Sequence, residues 1–173
     1  MKTLILGGIK SGKSRLAETL AIETGLSVTL IATASIADEE MRLRVQAHKD
    51  SRPEDWQTVE EPVYLGQALH ELDSSDNCVV IDCITLWLTN LLLQDDPVSL
   101  QSQIERLLDA VDQFSGQLFI VSNETSMGIV PLGELTRRFC DEAGLLHQSL
   151  ARYSDKVILT VAGLTHTLKS PTT

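Results

Sequence analysis

The stretch that decides the fold is Gly7-Gly8-Ile9-Lys10-Ser11-Gly12-Lys13-Ser14. It follows the apolar run 3–6 directly, and it precedes a segment in which Leu16, Leu20 and Ala21 recur at helical spacing. The stretch satisfies the pattern G-x-x-x-x-G-K-[ST], which is typical of a phosphate-binding loop between a strand and a helix. We therefore predict a nucleotide-binding loop, and the alternative is a glycine-rich turn that holds no ligand.

The chemistry of such a loop assigns roles to its last two residues. Backbone N–H groups curl around phosphate oxygens, and the N-terminus of the following helix adds positive partial charge. Lys13 would neutralise the β- and γ-phosphates, and the Ser14 hydroxyl would ligate Mg²⁺. A second, acidic element is also needed, and Asp82 supplies it at the end of the apolar run 78–81. The alternative for Asp82 is a cap on the helix predicted from residue 85.

Apolar runs and helical segments alternate along the whole chain. Strands are predicted at 3–6, 27–32, 78–82, 118–122 and 156–161, and helices at 13–24, 37–50, 62–72, 85–94, 99–114 and 134–152. Strands that are almost continuously apolar indicate a mostly parallel sheet covered on both faces. We predict a three-layer α/β, P-loop NTPase-like fold, with a single domain over 1–169 and a flexible tail over 170–173.

The composition limits which binding partners and which cellular compartment we expect for the protein. The chain has 173 residues, of which 24 are Asp or Glu and 14 are Lys or Arg, so its net charge is −10. This charge argues against a broad nucleic-acid or anionic-lipid surface. The three cysteines show no CxxC pair, and neither the start of the chain nor the apolar stretch 84–93 is long enough for a signal core or a membrane span. We expect a cytoplasmic protein without stable membrane insertion.

The segment 37–50 carries a candidate nucleophile. Acidic residues stand at its front, as a helix dipole prefers, and Met41, Val45 and His48 share one helical face. His48 is either a structural histidine or a catalyst. The phosphate loop favours the catalyst, because an imidazole with a pKa of about 6.5 is largely neutral at pH 7 and can attack phosphorus.

Basic residues cluster around this histidine, namely Arg42, Arg44, Lys49 and Arg52. In so acidic a chain, this cluster indicates a local anion-binding site. A solvated helix face with paired charges is an equally good interpretation of the composition alone.

Several blocks together resemble one known family. They are 4–14, Ile31-Ala32-Thr33-Ala34 before Asp38-Glu39-Glu40-Met41, His48-Lys49-Asp50-Ser51-Arg52-Pro53 leading to Trp56, Asp82-Cys83-Ile84-Thr85 with Thr89-Asn90-Leu91-Leu92, and Ser122-Asn123-Glu124 with Met127-Gly128-Ile129-Val130-Pro131. From residue 4 to about residue 168, the chain resembles the bifunctional adenosylcobinamide kinase/adenosylcobinamide-phosphate guanylyltransferases of cobalamin biosynthesis.

The resemblance implies an activity and a site. The enzyme would phosphorylate adenosylcobinamide and then transfer GMP from GTP to adenosylcobinamide phosphate, with a GMP-histidine at His48 and release of pyrophosphate. It implies GTP, ATP and Mg²⁺ as cofactors, and a homotrimer. The implied nucleotide contacts beyond the phosphate loop are Ala32, Thr33, Ala34, Lys49, Asp50, Ser51, Arg52, Glu60 and Asp82.

Two other function classes compete with this one. A simple small-molecule kinase would use residues 42–52 as a phosphate-binding lid and would form no covalent GMP. A nucleotide-dependent switch would hydrolyse slowly, but the chain has no N/TKxD guanine motif.

The remaining features are weaker signals. Asn123 and Glu124 are candidate substrate contacts, because ligands bind at the carboxyl ends of strands in open α/β sheets. We expect the two tryptophans to pack, Cys83 to be buried, and the other histidines (His70, His147 and His166) to be structural or exposed.

Overall fold

The computed structural model describes residues 1–34, 55–94 and 100–171. The strands are β1 (Lys2–Gly7), β2 (Ser27–Ala32), β3 (Gln57–Glu60), β4 (Asn77–Asp82), β5 (Gln117–Asn123), β6 (Lys156–Val161) and β7 (Leu164–Lys169). The helices are α1 (Lys13–Glu23), α2 (Leu65–Glu71), α3 (Ile84–Leu93), α4 (Leu100–Gln113) and α5 (Glu134–Tyr153). The helix predicted over 37–50 lies outside the described residues.

The seven strands form one sheet in the order β3-β2-β4-β5-β1-β6-β7. Neighbours from β3 to β6 are parallel, and β7 alone runs antiparallel, against β6. β5 therefore lies between β1, which leads into the phosphate loop, and β4, which ends in Asp82. The carboxyl ends of these three strands share one edge of the sheet, and the site is built there.

Both faces of the sheet are apolar. In β5, Leu118 and Ile120 face the core shared with α2, α3, α4 and α5, whereas Phe119 and Val121 face the core shared with α1. Successive side chains of a strand point to opposite faces, so a strand buried on both sides is continuously apolar. The prediction of a three-layer α/β fold with a mostly parallel sheet is confirmed.

Two strands were not predicted, and one helix begins later than predicted. β3 and β7 lie at the two edges of the sheet, where their side chains are mostly exposed and no apolar run marks them. The helix predicted from residue 62 begins at Leu65, because the Glu61 carboxylate accepts the N–H groups of Val63 and Tyr64, each at 2.8 Å. None of the helices within the described ranges has the length and apolar character needed to cross a bilayer.

Candidate active site

The phosphate loop curls tightly between β1 and α1. The Ser11 N–H donates to the Gly8 carbonyl at 3.2 Å, and Gly12 has a φ of 102°, a left-handed conformation that favours glycine. A Cβ on Gly7 would lie 2.3 Å from Oγ1 and 2.4 Å from the carbonyl oxygen of Thr160, so a larger residue does not fit. The glycines of this motif thus allow the close approach of the loop to β6.

Lys13 is folded back over this loop. Its side chain is buried, and Nζ donates to the Gly8 carbonyl at 2.7 Å. Burial lowers the pKa of Lys13, while Cys83 and Asp82, when ionised, oppose that effect. Burial also raises the pKa of the Cys83 thiol, so this thiol adds little negative charge beside Lys13 near neutral pH. A desolvated ammonium group beside a loop of backbone donors favours an anionic ligand such as phosphate.

Ser14 and Asp82 fit a magnesium site of the kind found with nucleotides. Ser14 lies in the first turn of α1, and Asp82 ends β4 close enough to act on the Lys13 charge. Among the described residues, no three His, Cys, Asp or Glu side chains are grouped as metal ligands. One hydroxyl and one carboxylate suit Mg²⁺, which takes its other ligands from water and substrate phosphates. Asp82 does not cap α3. The N-cap residue of this helix is Cys83, and no side chain makes a capping hydrogen bond there.

Thr33 joins the end of β2 to the end of β4. Its hydroxyl donates to the Cys83 carbonyl at 2.7 Å and accepts the Cys83 N–H at 2.9 Å, and the side chain is fully buried. Its own carbonyl accepts Asn90 Nδ2 at 2.8 Å. The side chain is therefore committed to protein contacts. The predicted nucleotide contact over Ala32, Thr33 and Ala34 stays a prediction.

The other predicted nucleotide residues are only partly placed. Glu60 ends β3 beside Ala32, which in turn pairs with Asp82, so Glu60 lies at the same sheet edge. The predicted nucleophile His48 lies outside the described residues, as do Lys49, Asp50, Ser51 and Arg52.

The end of β5 contributes polar groups next to the loop. Asn123 pairs with Gly7 in register, and its Nδ2 donates to Thr85 Oγ1 at 2.9 Å. The Glu124 N–H donates to the Gly7 carbonyl at 2.9 Å. Both residues therefore lie at the carboxyl end of β5, beside the start of the phosphate loop, and their role as substrate contacts stays a prediction.

His147 has partners that its position in the sequence does not predict. It is buried on α5, and its Nε2 lies 2.7 Å from Ser122 Oγ, while its Nδ1 lies 3.9 Å from Glu124 Oε2. Burial lowers the pKa of His147, and the Glu124 charge opposes that effect. The available signal was a histidine among the buried residues of an amphipathic helix, beside Leu146 and Leu150.

The packing prediction for Trp87 is confirmed, because it is fully buried.

Comparison with known proteins decides the family. A family model described as cobinamide kinase / cobinamide phosphate guanyltransferase matches residues 3–168. The chain belongs to this family. The bifunctional adenosylcobalamin biosynthesis protein CobP of Pseudomonas aeruginosa is 52% identical over 169 residues, which cover 98% of each chain. The bifunctional adenosylcobalamin biosynthesis protein CobU of Escherichia coli is 37% identical, over 95% of this chain and 97% of that protein. The prediction of an enzyme of this family is confirmed.

Solved structures support the same fold at much lower identity. The RadB recombinase superposes with a TM-score of 0.53 at 16% identity, over 91% of this chain and 72% of that one. A protein from a structural study of Pyrococcus horikoshii OT3 gives a TM-score of 0.55 at 10% identity, over 98% and 86% of the two chains. These likenesses concern the fold alone, and the P-loop NTPase-like architecture is confirmed.

Proposed function

We propose that the chain phosphorylates adenosylcobinamide and then transfers GMP from GTP to adenosylcobinamide phosphate, releasing adenosylcobinamide-GDP and pyrophosphate. The observation that carries this proposal is the phosphate loop, with buried Lys13 folded over it and Asp82 beside it. Family membership over residues 3–168 supports the pairing of the two activities. The same proposal describes a cytoplasmic homotrimer that acts on a corrinoid.

The first step is phosphoryl transfer from ATP or GTP. The substrate hydroxyl attacks the γ-phosphorus, and an oxygen–phosphorus bond forms. The bond between the γ-phosphorus and the oxygen that bridges it to the β-phosphorus breaks. Residues 7–14 would hold the triphosphate through backbone N–H groups, and Lys13 would offset charge on the β- and γ-phosphates. Mg²⁺, when bound by Ser14 and Asp82, supplies further charge neutralisation. Positioning and charge account for most of the catalysis in such reactions.

The second step is guanylyl transfer through a covalent intermediate. The neutral imidazole of His48 attacks the α-phosphorus of GTP, and the bond to pyrophosphate breaks. A phosphate oxygen of adenosylcobinamide phosphate then attacks the same phosphorus, and the nitrogen–phosphorus bond breaks. Lys49 and Arg52 would offset charge on the non-bridging oxygens. Further nucleotide contacts are proposed for Ala32, Thr33, Ala34, Asp50, Ser51 and Glu60.

A labelling experiment tests the covalent step. Wild type and His48→Ala are incubated with GTP labelled at the α-phosphate, and protein-bound label is tested for the acid lability and alkali stability of a phosphoramidate. Wild type should be labelled and His48→Ala should not, although both bind GTP. His166→Ala is the matched control, because His166 is exposed on β7.

Each other outcome contradicts part of the proposal. Equal labelling of His48→Ala would show that the nucleophile is another residue. Phosphorylation of the corrinoid by wild type without any protein-bound label would favour the simple kinase over the bifunctional enzyme.

A further inference from the structure

Ser122, His147 and Glu124 form a chain of polar contacts beside the phosphate loop. Ser122 is fully buried in β5, and its Oγ lies 2.7 Å from His147 Nε2. The opposite ring nitrogen, Nδ1, lies 3.9 Å from Glu124 Oε2, which is beyond hydrogen-bond distance. The side chains of His147 and Glu124 are 9% and 16% exposed. This series of contacts thus leads from the buried Ser122 to the Glu124 carboxylate at the edge of the sheet.

The surroundings of His147 favour an apolar residue. The other buried residues of α5 that bracket it include Ala143, Leu146 and Leu150. Burying a polar ring costs free energy unless it is hydrogen-bonded, and an apolar side chain of similar volume usually packs at least as well. The ring of His147 is held by a buried serine, and its other nitrogen faces the Glu124 carboxylate, so it lies where it can orient that carboxylate.

Glu124 is fixed beside the first residue of the phosphate loop. Its N–H donates to the Gly7 carbonyl at 2.9 Å, and its Oε1 accepts the Ser126 N–H at 2.7 Å. Oε2 faces His147. The carboxylate follows β5 directly, at the sheet edge that carries Asp82 and the start of the phosphate loop.

The two proposed steps differ in their need for a base. An alcohol must lose a proton as it attacks phosphorus, and its hydroxyl is far too weakly acidic to be ionised at neutral pH. A phosphate monoester is already anionic at that pH, since its second pKa is about 6, so its attack on a GMP-histidine needs no base. A general base would therefore act in phosphorylation and be dispensable for guanylyl transfer.

We propose that Glu124 is the general base of the phosphorylation step, and that His147, held by Ser122, is the positioning residue that orients its carboxylate. The inference rests on the kinase activity proposed above. As the substrate oxygen bonds to the γ-phosphorus, its proton passes to Glu124, and the nucleoside diphosphate leaves with the electrons of the broken bond. Glu124 then returns the proton to solvent.

Glu124→Gln tests the base, because glutamine keeps the shape of the side chain and removes its basicity. The kcat of adenosylcobinamide phosphorylation should fall by about 100-fold or more, while the KM for the nucleotide and guanylyl transfer to supplied adenosylcobinamide phosphate stay within about twofold. A kcat for phosphorylation within threefold of wild type would overturn the proposal, and so would an equal loss of both steps. Failure of the wild type itself to phosphorylate the corrinoid would instead overturn the proposed function.

A matched pair of variants tests the positioning residue. In His147→Asn the amide nitrogen takes the place of Nδ1, which faces Glu124, whereas in His147→Gln it takes the place of Nε2, which faces Ser122. His147→Asn should retain about tenfold more kcat in phosphorylation than His147→Gln, and guanylyl transfer should be unchanged in both. His70→Asn, at an exposed position on α2, is the control.

A purely structural role for His147 predicts a different pattern. The kcat losses would then follow the unfolding temperatures of the two variants and affect both steps alike, which would overturn the inference. If neither variant folds, Ser122→Ala serves instead, because it frees the ring without removing it. It should lower the kcat of phosphorylation several-fold, and an unchanged kcat would contradict the proposal.

Discussion

Ser11 in the phosphate loop and Thr160 in β6, 149 residues further along the chain, share a buried hydrogen bond of 2.8 Å. Thr160 Oγ1 also donates to the Leu6 carbonyl at 3.1 Å, so its proton is used there and Ser11 is the donor to Thr160. Thr160 also restricts the residue at position 7, because a Cβ added to Gly7 would collide with it. One side chain of β6 therefore contacts both the start of the loop and its middle.

Replacing Thr160 by valine should loosen the loop without changing the volume of the site. Loss of the two hydrogen bonds should lower the free energy of unfolding by about 1–3 kcal/mol and weaken nucleotide binding several-fold. Urea unfolding and a nucleotide titration measure the two effects. Thr167→Val on exposed β7 is the control and should change stability by no more than about 0.5 kcal/mol. Unchanged stability and affinity in Thr160→Val would contradict this role.

The same substitution at two helical glycines should have opposite effects. A Cβ on Gly66 in α2 would lie 2.7 Å from backbone atoms of Arg106 and Leu107 in α4, so Gly66→Ala must push two helices apart. Gly144 in α5 has no atom within 4 Å of such a Cβ. Gly66→Ala should destabilise the protein by about 1–3 kcal/mol, and Gly144→Ala should stabilise it by about 0.5–1 kcal/mol. Denaturant unfolding measures both, and equal shifts would show that the helix contact at Gly66 is not tight.

Five of the seven strands could be predicted because their signals are local. β1, β2, β4, β5 and β6 are buried on both faces, so each is a recognisable apolar run. β3 and β7 are edge strands with exposed side chains, and their existence depends on pairing with β2 and β6 rather than on their own composition. The phosphate loop was predictable for the same reason as the central strands, since one short segment carries the whole motif.

The rest of the site depends on contacts between distant residues. The hydrogen bond between Ser122 and His147 joins residues 25 positions apart on different elements, and it exists only because α5 packs over one face of the sheet. The contact of Thr33 with Cys83 spans 50 positions. Residue type and spacing along the chain do not reveal such pairs, so the sequence identified Thr33 by its motif but not by its role in joining two strand ends.

Asp73 makes stability depend on pH at the acid end. Its Oδ1 accepts the Ser115 N–H and the Ser115 hydroxyl, each at 2.8 Å, and these hydrogen bonds lower the pKa of Asp73. The pKa of Asp73 is lower in the folded protein than in the unfolded chain. The carboxylate therefore stabilises the fold above about pH 4, and this stabilisation is lost as the pH falls through the folded pKa.

Asp73→Asn tests that contribution, since asparagine does not titrate. Wild type should be more stable than the variant at pH 7, by less than about 1 kcal/mol because the site is exposed, and the difference should disappear as the pH falls below 4. Thermal unfolding across this range measures it. A difference that stays constant from pH 7 to pH 3 would show that the carboxylate is not the source.

The central claim is that one phosphate loop serves two successive transfers, of which only the second needs His48. The most direct test supplies adenosylcobinamide and GTP and follows both the phosphorylated and the GDP-linked corrinoid. Wild type should form the first product and then the second, and His48→Ala should stop at adenosylcobinamide phosphate. Formation of adenosylcobinamide-GDP by His48→Ala at the wild-type rate, or of neither product by wild type, would contradict the account.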